Sequence, residues 1–193
     1  MARPREFSTE EALDKALQVF WSKGYEAASL CDLLEAMGIS KSSFYDTFGS
    51  KHELLLAALE RYRQTETTRM LDLLGGDSPA KQAIATAFAR SIDKLTGAGA
   101  RQGCFVNNCA VEISPHDPQA AKRVRECQAS LEEAFFGAVE RGQQAGDIPT
   151  RRDARALARF LSTSLAGLAV TAKGGAARAA LEDAASITLQ ALD

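Results

Sequence analysis

Apolar residues recur every three or four positions along most of the chain, and this spacing is typical of amphipathic α-helices. The pattern is clear near the N-terminus at Leu13, Leu17 and Phe20. Similar stripes follow at Leu55, Leu59 and Tyr62, at Val124, Leu131, Phe135 and Ala138, and at Leu157, Leu161, Leu165 and Leu168. No stretch alternates apolar and polar residues as a half-buried strand would. The sequence therefore predicts an all-α protein.

Capping and helix-breaking residues divide this periodic pattern into about nine segments. Ser8 with Glu11 has the spacing of a capping box, and Gly24 and Gly38 stand where helices would end. The predicted helices cover residues 8–23, 30–37, 41–48, 51–74, 79–95, 104–114, 118–145, 151–173 and 176–192. The first part of the chain carries the shorter helices. We therefore expect a small three-helix domain over residues 1–50 and a larger helical bundle over residues 51–193.

The most informative segment, residues 29–51, contains two short predicted helices joined by the tight turn Gly38-Ile39-Ser40. Leu33 and Met37 form an apolar stripe on the first of these helices, and Phe44 and Phe48 form one on the second. Packing the two stripes together leaves the opposite face of the second helix exposed. A helix presented in this way fits the major groove of DNA, so the segment predicts a helix-turn-helix unit.

Side chains on that outward face suit contacts with double-stranded DNA. Lys41 suits the O6 and N7 atoms of guanine, and the hydroxyls of Ser42 and Ser43 can pair with several bases. Arg3 and Arg5 lie on an N-terminal arm that we expect to enter the minor groove. The predicted phosphate contacts, which would set the register rather than read the sequence, are Ser29, Tyr45, Thr47 and Lys51.

Charge and hydropathy restrict this interpretation without overturning it. The chain of 193 residues has a formal net charge of −2, so a DNA-binding face has to be a local basic patch. The N-terminus lacks the apolar segment of a secretory signal. The apolar runs are shorter than the ~20 residues that span a bilayer. We expect a cytoplasmic protein that does not contact the membrane.

The same residues carry a resemblance to a known family. The chain resembles the tetracycline-repressor (TetR) family in three successive segments of that family's signature. They are Met37-Gly38-Ile39-Ser40, Phe44-Tyr45 with Phe48, and Ser50-Lys51-His52-Glu53-Leu54, with Phe20 and Gly24-Tyr25 ahead of them. The resemblance covers roughly residues 8–55. It implies a homodimeric transcription regulator, generally a repressor, that a small-molecule or reactive-electrophile inducer releases from a palindromic operator. Leu34, Ser42 and Thr47 depart from the usual pattern, which bears on the operator sequence more than on the fold.

A second unusual segment spans residues 103–118, where Gly103-Cys104-Phe105 opens a predicted helix. This opening resembles a subgroup of the family that includes regulators sensing electrophiles through cysteine. Polar residues on this otherwise apolar helix, together with the nearby thiols, form the predicted ligand-binding set, which consists of Cys104, Asn107, Asn108, Cys109, Glu112 and Cys127.

Several interpretations of the cysteines stay open. In the first interpretation they are buried structural thiols. In the second they form a redox or electrophile sensor, in which His116 or Arg101 lies beside a thiolate. A Cys/His metal site is a third alternative, which the spacing does not support, so we predict no metal and no cofactor. A disulfide between Cys109 and Cys127, on neighbouring predicted helices, is geometrically allowed.

The last two predicted helices are rich in alanine, and small residues let helix axes approach closely. Two such helices from each chain would form a two-fold four-helix interface. The residues predicted to form it are Leu157, Leu161, Leu165, Leu168, Leu181, Ala184 and Thr188. In the alternative, this face packs only within its own chain.

The other classes of function have little support in the sequence. An enzyme that uses Cys104 or Cys109 with His116 is one alternative, and a helical binding module without DNA function is another. The chain has no GxSxG, no HExxH and no phosphate-binding glycine loop, so we predict that it is not an enzyme.

The predicted helix 51–74, ~36 Å long at ~1.5 Å per residue, would join the DNA-reading head to the ligand-binding bundle.

Overall fold

The computed structural model describes residues 7–97 and 100–193, and every regular element in those ranges is helical. Arg3 and Arg5 lie outside the described residues. The first three helices, which we call the head, are α1 (Thr9–Lys23), α2 (Leu30–Met37) and α3 (Lys41–Phe48). The remainder comprises α4 (Lys51–Tyr62), a π-helical segment (Arg63–Thr67), α5 (Thr68–Gly75), α6 (Ala80–Thr96), α7 (Phe105–Glu112), α8 (Pro118–Gln144), α9 (Ala154–Lys173) and α10 (Arg178–Leu189), which ends in a 3₁₀ turn (Gln190–Leu192).

Side-chain caps fix most of the helix starts. Ser8, Ser40 and Ser50 each accept a hydrogen bond from the backbone N–H three residues later, at 3.1–3.3 Å. Asp117 caps α8, where Pro118 occupies the first helical position. Asp153 caps α9, which therefore begins three residues after the predicted start. Cap chemistry within a single turn thus accounts for the close agreement with the predicted boundaries.

The predicted helix 51–74 differs from the structure in one respect. α4 and α5 follow each other without a break, but the π-helical segment lies between them. The Thr65 hydroxyl donates to the carbonyl of Arg61 at 2.9 Å, and the Thr68 hydroxyl donates to that of Arg63 at 3.1 Å. Each hydroxyl is thus a side-chain donor to a carbonyl of the widened turn, and the Arg63 carbonyl also accepts from the backbone N–H of Thr68. We call α4, the π-helical segment and α5 together the continuous rod (Lys51–Gly75). If the rod is counted as one helix, the described residues form nine helices, as the sequence predicted.

Buried apolar side chains form two clusters in the part of the chain that the structure describes. The first joins α1 to α4 with α7 and the beginning of α8, and it includes Phe20, Phe44 and Phe105. The second joins α5, α6, the rest of α8, α9 and α10. Cys104 packs against both clusters. The head therefore shares its core with α7 rather than closing a core of its own.

None of the helices in the described ranges is long and apolar enough to cross a lipid bilayer.

We predict that the junction of α8 with α6 is sensitive to a single added methyl group. A Cβ at Gly142 would lie 2.6 Å from Cδ1 of Ile148 and 2.8 Å from Cβ of Ala80. Gly142→Ala should therefore lower the free energy of unfolding by about 1–3 kcal/mol through overpacking. Gly137→Ala on the same helix is the matched control, because its Cβ would meet only the end of Arg141 at 3.8 Å.

The control should raise the free energy of unfolding by about 0.5–1 kcal/mol, because alanine favours the helix over glycine. Urea unfolding followed by circular dichroism, at one protein concentration, measures both variants. Equal stability of the two variants would contradict the packing described at Gly142.

Candidate nucleic-acid interface and the helix that supports it

The turn between α2 and α3 has the geometry that the sequence predicted. Gly38 adopts a left-handed conformation (φ 70°, ψ 32°), and its N–H donates to the carbonyls of Leu34 and Glu35. Only glycine takes up this conformation without steric cost. Ile39 is half-buried against the first cluster, and Ser40 then caps α3. The two helices are thus held in a fixed relative orientation.

The inner faces of α2 and α3 are buried in the first cluster. Leu33, Met37 and Phe44 are 3% exposed or less, and Phe48 packs beside them with its ring centroid 6.1 Å from that of Phe44. This burial leaves the opposite face of α3 in solvent. Besides Phe48, the exposed or half-exposed side chains of α3 are Lys41, Ser42, Ser43, Tyr45, Asp46 and Thr47. The amphipathic arrangement of α3 matches the sequence analysis.

The polar groups on the outer face retain capacity for a ligand. Among the described residues, Lys41 makes no hydrogen bond or ion pair, so its ammonium group is free. The Ser40 hydroxyl lies 2.9 Å from the hydroxyls of both Ser42 and Ser43. Tyr45 is 47% exposed, and its ring packs edge-on against Phe44. This face of α3 combines a cation, hydroxyls and an aromatic ring with the exposed carboxylate of Asp46, and it can enter a groove.

Ser29 differs from the other predicted phosphate contacts because its hydroxyl is already used. It donates to the carboxylate of Asp32 at 2.8 Å and accepts from the backbone N–H of that residue at 3.1 Å. The hydrogen bond from Lys23, with those from Ser29, lowers the pKa of Asp32 to about 2. The carboxylate is therefore charged at neutral pH and would repel a phosphate. Capping of α2 accounts for this serine.

Lys51 is half-buried at the start of α4, and its ammonium group lies 4.5 Å above the ring of Tyr25. An ammonium group in this position is attracted by the aromatic face. Tyr25 belongs to the loop between α1 and α2, so this loop sets the position of Lys51. The sequence motif that contains Gly24-Tyr25 did not predict this contact.

Glu112 was predicted to bind a ligand, and in the structure its side chain has partners within the chain. Its carboxylate accepts hydrogen bonds from the backbone N–H groups of Tyr25 and Glu26, both at 3.0 Å. Both oxygens are therefore engaged with the head. Asn108 is similarly occupied, because its side-chain amide donates to the carbonyl of Gln102 at 2.9 Å. These two polar side chains hold loops rather than line an open site.

The cysteines of the predicted sensing set lie in different environments. Cys109 and Cys127 are buried, and burial raises their pKa values to about 12 and about 11. Both thiols are therefore protonated at neutral pH, when their nucleophilicity is low. Cys104 is half-buried, with its Sγ atom 3.6 Å from the Tyr62 hydroxyl, and Asn107 is also half-buried. The chain's four cysteines, all of which the structure describes, are free, so the allowed disulfide between Cys109 and Cys127 is not formed.

His116, proposed as a neighbour for a thiolate, is exposed. Within residues 7–97 and 100–193, no three or more His, Cys, Asp or Glu side chains come together as metal ligands. An open groove of about 380 Å³ lies between α1 and the π-helical segment. Ion-paired side chains, such as Asp14 with Arg61, line part of it. This groove does not include the residues predicted to bind a ligand.

Most of the predicted interface residues on α9 and α10 are buried within one chain, so they offer no surface to a second chain. Those with 8% exposure or less are Leu157, Leu161, Leu165, Leu168, Leu181 and Thr188. The apolar stripe that sequence periodicity detected faces α6 and α8 instead. Ala184 is exposed, and Phe160, Val170 and Ile187 on the same two helices are 47–66% exposed. We refer to these four residues as the outer apolar face.

Comparisons with known proteins agree with this architecture. A family model described as bacterial regulatory proteins of the tetR family matches residues 12–58, and one described as a tetracyclin repressor-like C-terminal domain matches residues 80–188. The uncharacterized HTH-type transcriptional regulator YezE of Bacillus subtilis (strain 168) is 34% identical, with all of both chains covered. The HTH-type transcriptional repressor ComR of Escherichia coli (strain K12) is 33% identical over 97% of this chain and 90% of its own length.

A solved structure shows the same fold. The TetR family transcriptional regulator CifR, as a cysteine mutant complexed with 26bp double-strand operator DNA, superposes with a TM-score of 0.89. It is 32% identical, and the match covers 99% of this chain and 100% of that chain. These similar proteins are named as regulators and not as enzymes, in agreement with the prediction from sequence. The chain therefore belongs to the tetracycline-repressor (TetR) family of bacterial transcriptional regulators.

Proposed function

We propose that this protein is a transcriptional repressor that binds a palindromic operator as a homodimer, with α3 of each chain in the major groove. The observation that carries the proposal is the outward face of α3, where Lys41 has an unpaired ammonium group among the described residues. The similarity to ComR, a named repressor, and to CifR bound to operator DNA supports repression. A regulator of chromosomal DNA would act in the cytoplasm.

The residues on the outer face of α3 have distinct proposed roles. Lys41 would donate to guanine O6 and N7, and Ser42 and Ser43 would contact base edges. Tyr45 and Thr47 would contact phosphates. Lys51 at the start of α4 would do the same, and Arg3 and Arg5 would reach the minor groove from the N-terminal arm. Ser29 is removed from this set because its hydroxyl is engaged in the cap.

The outer apolar face is the proposed dimer interface. Phe160 and Val170 on α9 and Ile187 on α10 are large apolar side chains in solvent in the single chain. Large apolar side chains exposed on two neighbouring helices are candidates for a surface that associates. Two copies related by a two-fold axis would bury this face in a four-helix arrangement. The proposed interface replaces the buried leucines with these exposed residues.

Ligand-induced release is the proposed mode of regulation, with α7 as the responsive element. The division into a DNA-binding domain (1–50) and a ligand-binding and dimerisation domain (51–193) is retained as part of this proposal. The first cluster joins α7 to the head, so a change in α7 would disturb the packing under α3. An inducer has to bind the DNA-free state more tightly to shift the population.

A cysteine sensor is a second candidate for the response, in line with the proposed subgroup defined by Gly103-Cys104-Phe105. The observation that favours it is the partial exposure of Cys104 at the contact between the two clusters. Adding an electrophile to its Sγ atom would separate that sulfur from Tyr62 and from both clusters. Cys109 and Cys127 are assigned to the core instead, because burial keeps their thiols protonated.

We expect Lys41→Ala to lower the affinity for the cognate duplex by roughly tenfold or more, because one base contact is worth ~1–3 kcal/mol. The duplex is obtained by selection from a random-sequence pool with the wild-type protein, and affinity is measured by fluorescence anisotropy. Tyr45→Phe should weaken binding several-fold and uniformly across sequences, as a lost phosphate contact does. The control is Arg90→Ala, which removes an exposed positive charge from α6.

The control should bind DNA like the wild type. If Lys41→Ala and Tyr45→Phe also bind like the wild type, the assignment of α3 as the reading helix is wrong.

We expect Phe160→Glu to convert the dimer to a monomer, because a two-fold interface would then bury two unpaired charges, which is strongly unfavourable. Adding Ile187→Glu raises the number of buried charges to four. Light scattering after size-exclusion chromatography, at micromolar concentration, gives the mass. The control is Val111→Glu, since Val111 is 76% exposed but lies on α7, outside the outer apolar face. A dimer that survives Phe160→Glu and Ile187→Glu together would place the interface elsewhere.

We expect the cysteines of the native protein to react with iodoacetamide at pH 7.5 in the order of their exposure. Cys31 is exposed and should react first, and Cys104 should follow. Cys109 and Cys127 should stay unmodified until the protein is unfolded, because pKa values of about 12 and about 11 leave little thiolate at this pH. Peptide mass spectrometry with guanidinium-unfolded protein as the control reads each site. An unreactive Cys104 would remove the cysteine-sensor candidate.

A further inference from the structure

We infer that Glu112 is a positioning residue, through which the placement of α7 controls the DNA-contacting Lys51. The inference rests on the proposed function, and it specifies how one polar side chain would regulate it. The coupling runs from the Glu112 carboxylate to the loop between α1 and α2, and from the Tyr25 ring of that loop to the Lys51 ammonium group. Each step is a direct contact.

The first step is a carboxylate held by two successive backbone N–H groups. Glu112 accepts from Tyr25 and Glu26 at 3.0 Å each. Gly24 makes this approach available, because a Cβ at that position would lie 2.8 and 2.9 Å from the two carboxylate oxygens. Charge-assisted bonds of this kind are about twice as strong as neutral ones. The loop is therefore shaped to receive this carboxylate.

Stability of α7 itself does not account for Glu112. The residue is the last of α7, where the negative end of the helix dipole disfavours a carboxylate. Its hydrogen bonds are made instead to residues 86 and 87 positions earlier in the chain. The carboxylate thus serves the contact between α7 and the head.

The second step is the contact between Tyr25 and Lys51. The Lys51 ammonium group lies 4.5 Å from the centre of the Tyr25 ring, and both residues are half-buried. A shift of the loop would move the ring and with it the position that the ammonium group prefers. Lys51 is one of the proposed phosphate contacts, so its displacement would weaken DNA binding without unfolding the head.

The segments flanking α7 make two further contacts, one with α1 of the head and one with α4. The Trp21 indole N–H donates to the Gly103 carbonyl at 3.1 Å in a buried position. At the other end, Nε2 of His52 lies 2.5 Å from the Asp117 carboxylate. The Glu112 contact is the one of these three that supports the loop carrying the Tyr25 ring.

The test uses the full-length dimer and the duplex selected by the wild-type protein from a random pool. Glu112→Gln keeps the side-chain shape but can accept through only one oxygen, so one of the two loop bonds is lost. Hydrogen exchange of the Tyr25 and Glu26 amides should accelerate on the order of tenfold. Affinity for the duplex should fall roughly three- to tenfold. The magnitude of the slope of log K against log salt should fall by up to about two, because the dimer carries two copies of Lys51.

A double-mutant comparison separates positioning from a general loss of structure. Lys51→Gln alone should weaken binding by a similar factor. Adding Glu112→Gln to Lys51→Gln should weaken binding by less than a further twofold, because the first change acts through the second residue. The control is Glu140→Gln, which alters an exposed glutamate of α8 that makes no ion pair among the described residues.

The results that would overturn the inference are specific. They are unchanged exchange at Tyr25 and Glu26 in Glu112→Gln, or independent, multiplying effects of the two substitutions on affinity. If the wild-type protein selects no duplex, the proposed function fails instead. The exchange measurement needs no DNA, so it still reports whether Glu112 holds the loop.

Discussion

Burial of the apolar sides of α2 and α3 in one cluster with α4 determines what the rest of the molecule can do. Leu33, Met37 and Phe44 have almost no exposed surface, so α3 cannot rotate about its axis without opening the core. A rigid core of this kind transmits displacement rather than absorbing it. The chemistry of the outer face is therefore presented in one orientation, and any control over DNA binding has to act on the position of the whole unit or on residues at its edge.

The participation of α7 in the core of the head gives such control a physical route. Phe105 and Cys109 are buried among residues of α1 and α4. The Trp21 ring centroid lies 5.1 Å from that of Tyr62 and 6.4 Å from that of Phe105. α7 follows the proposed domain boundary at residue 50 in the sequence, but it packs in the same core as the head. Division at residue 50 describes the order of the chain better than the distribution of its core.

Much of the fold could be predicted from sequence because its determinants are local. A serine cap bonds to a backbone N–H three residues away, and an exposed face of α3 follows from the spacing of Phe44 and Phe48. Periodicity could not identify what an apolar stripe faces. Leu161 and Leu165 were therefore predicted to contact a second chain, whereas they pack within their own. The role of Glu112 was hidden for a similar reason, since its partners lie 86 and 87 positions away.

The π-helical segment at Arg63–Thr67 lies where the continuous rod passes from the first cluster to the second. Leu59 on one side of it faces the head core, and Leu74 on the other faces the bundle core. One residue corresponds to about 100° of rotation in an α-helix, so the wider turn sets the angular phase between these two faces. Losing a single residue here would leave the rod helical but turn Leu74 out of the second cluster. The length of this short stretch is thus constrained more strictly than its composition.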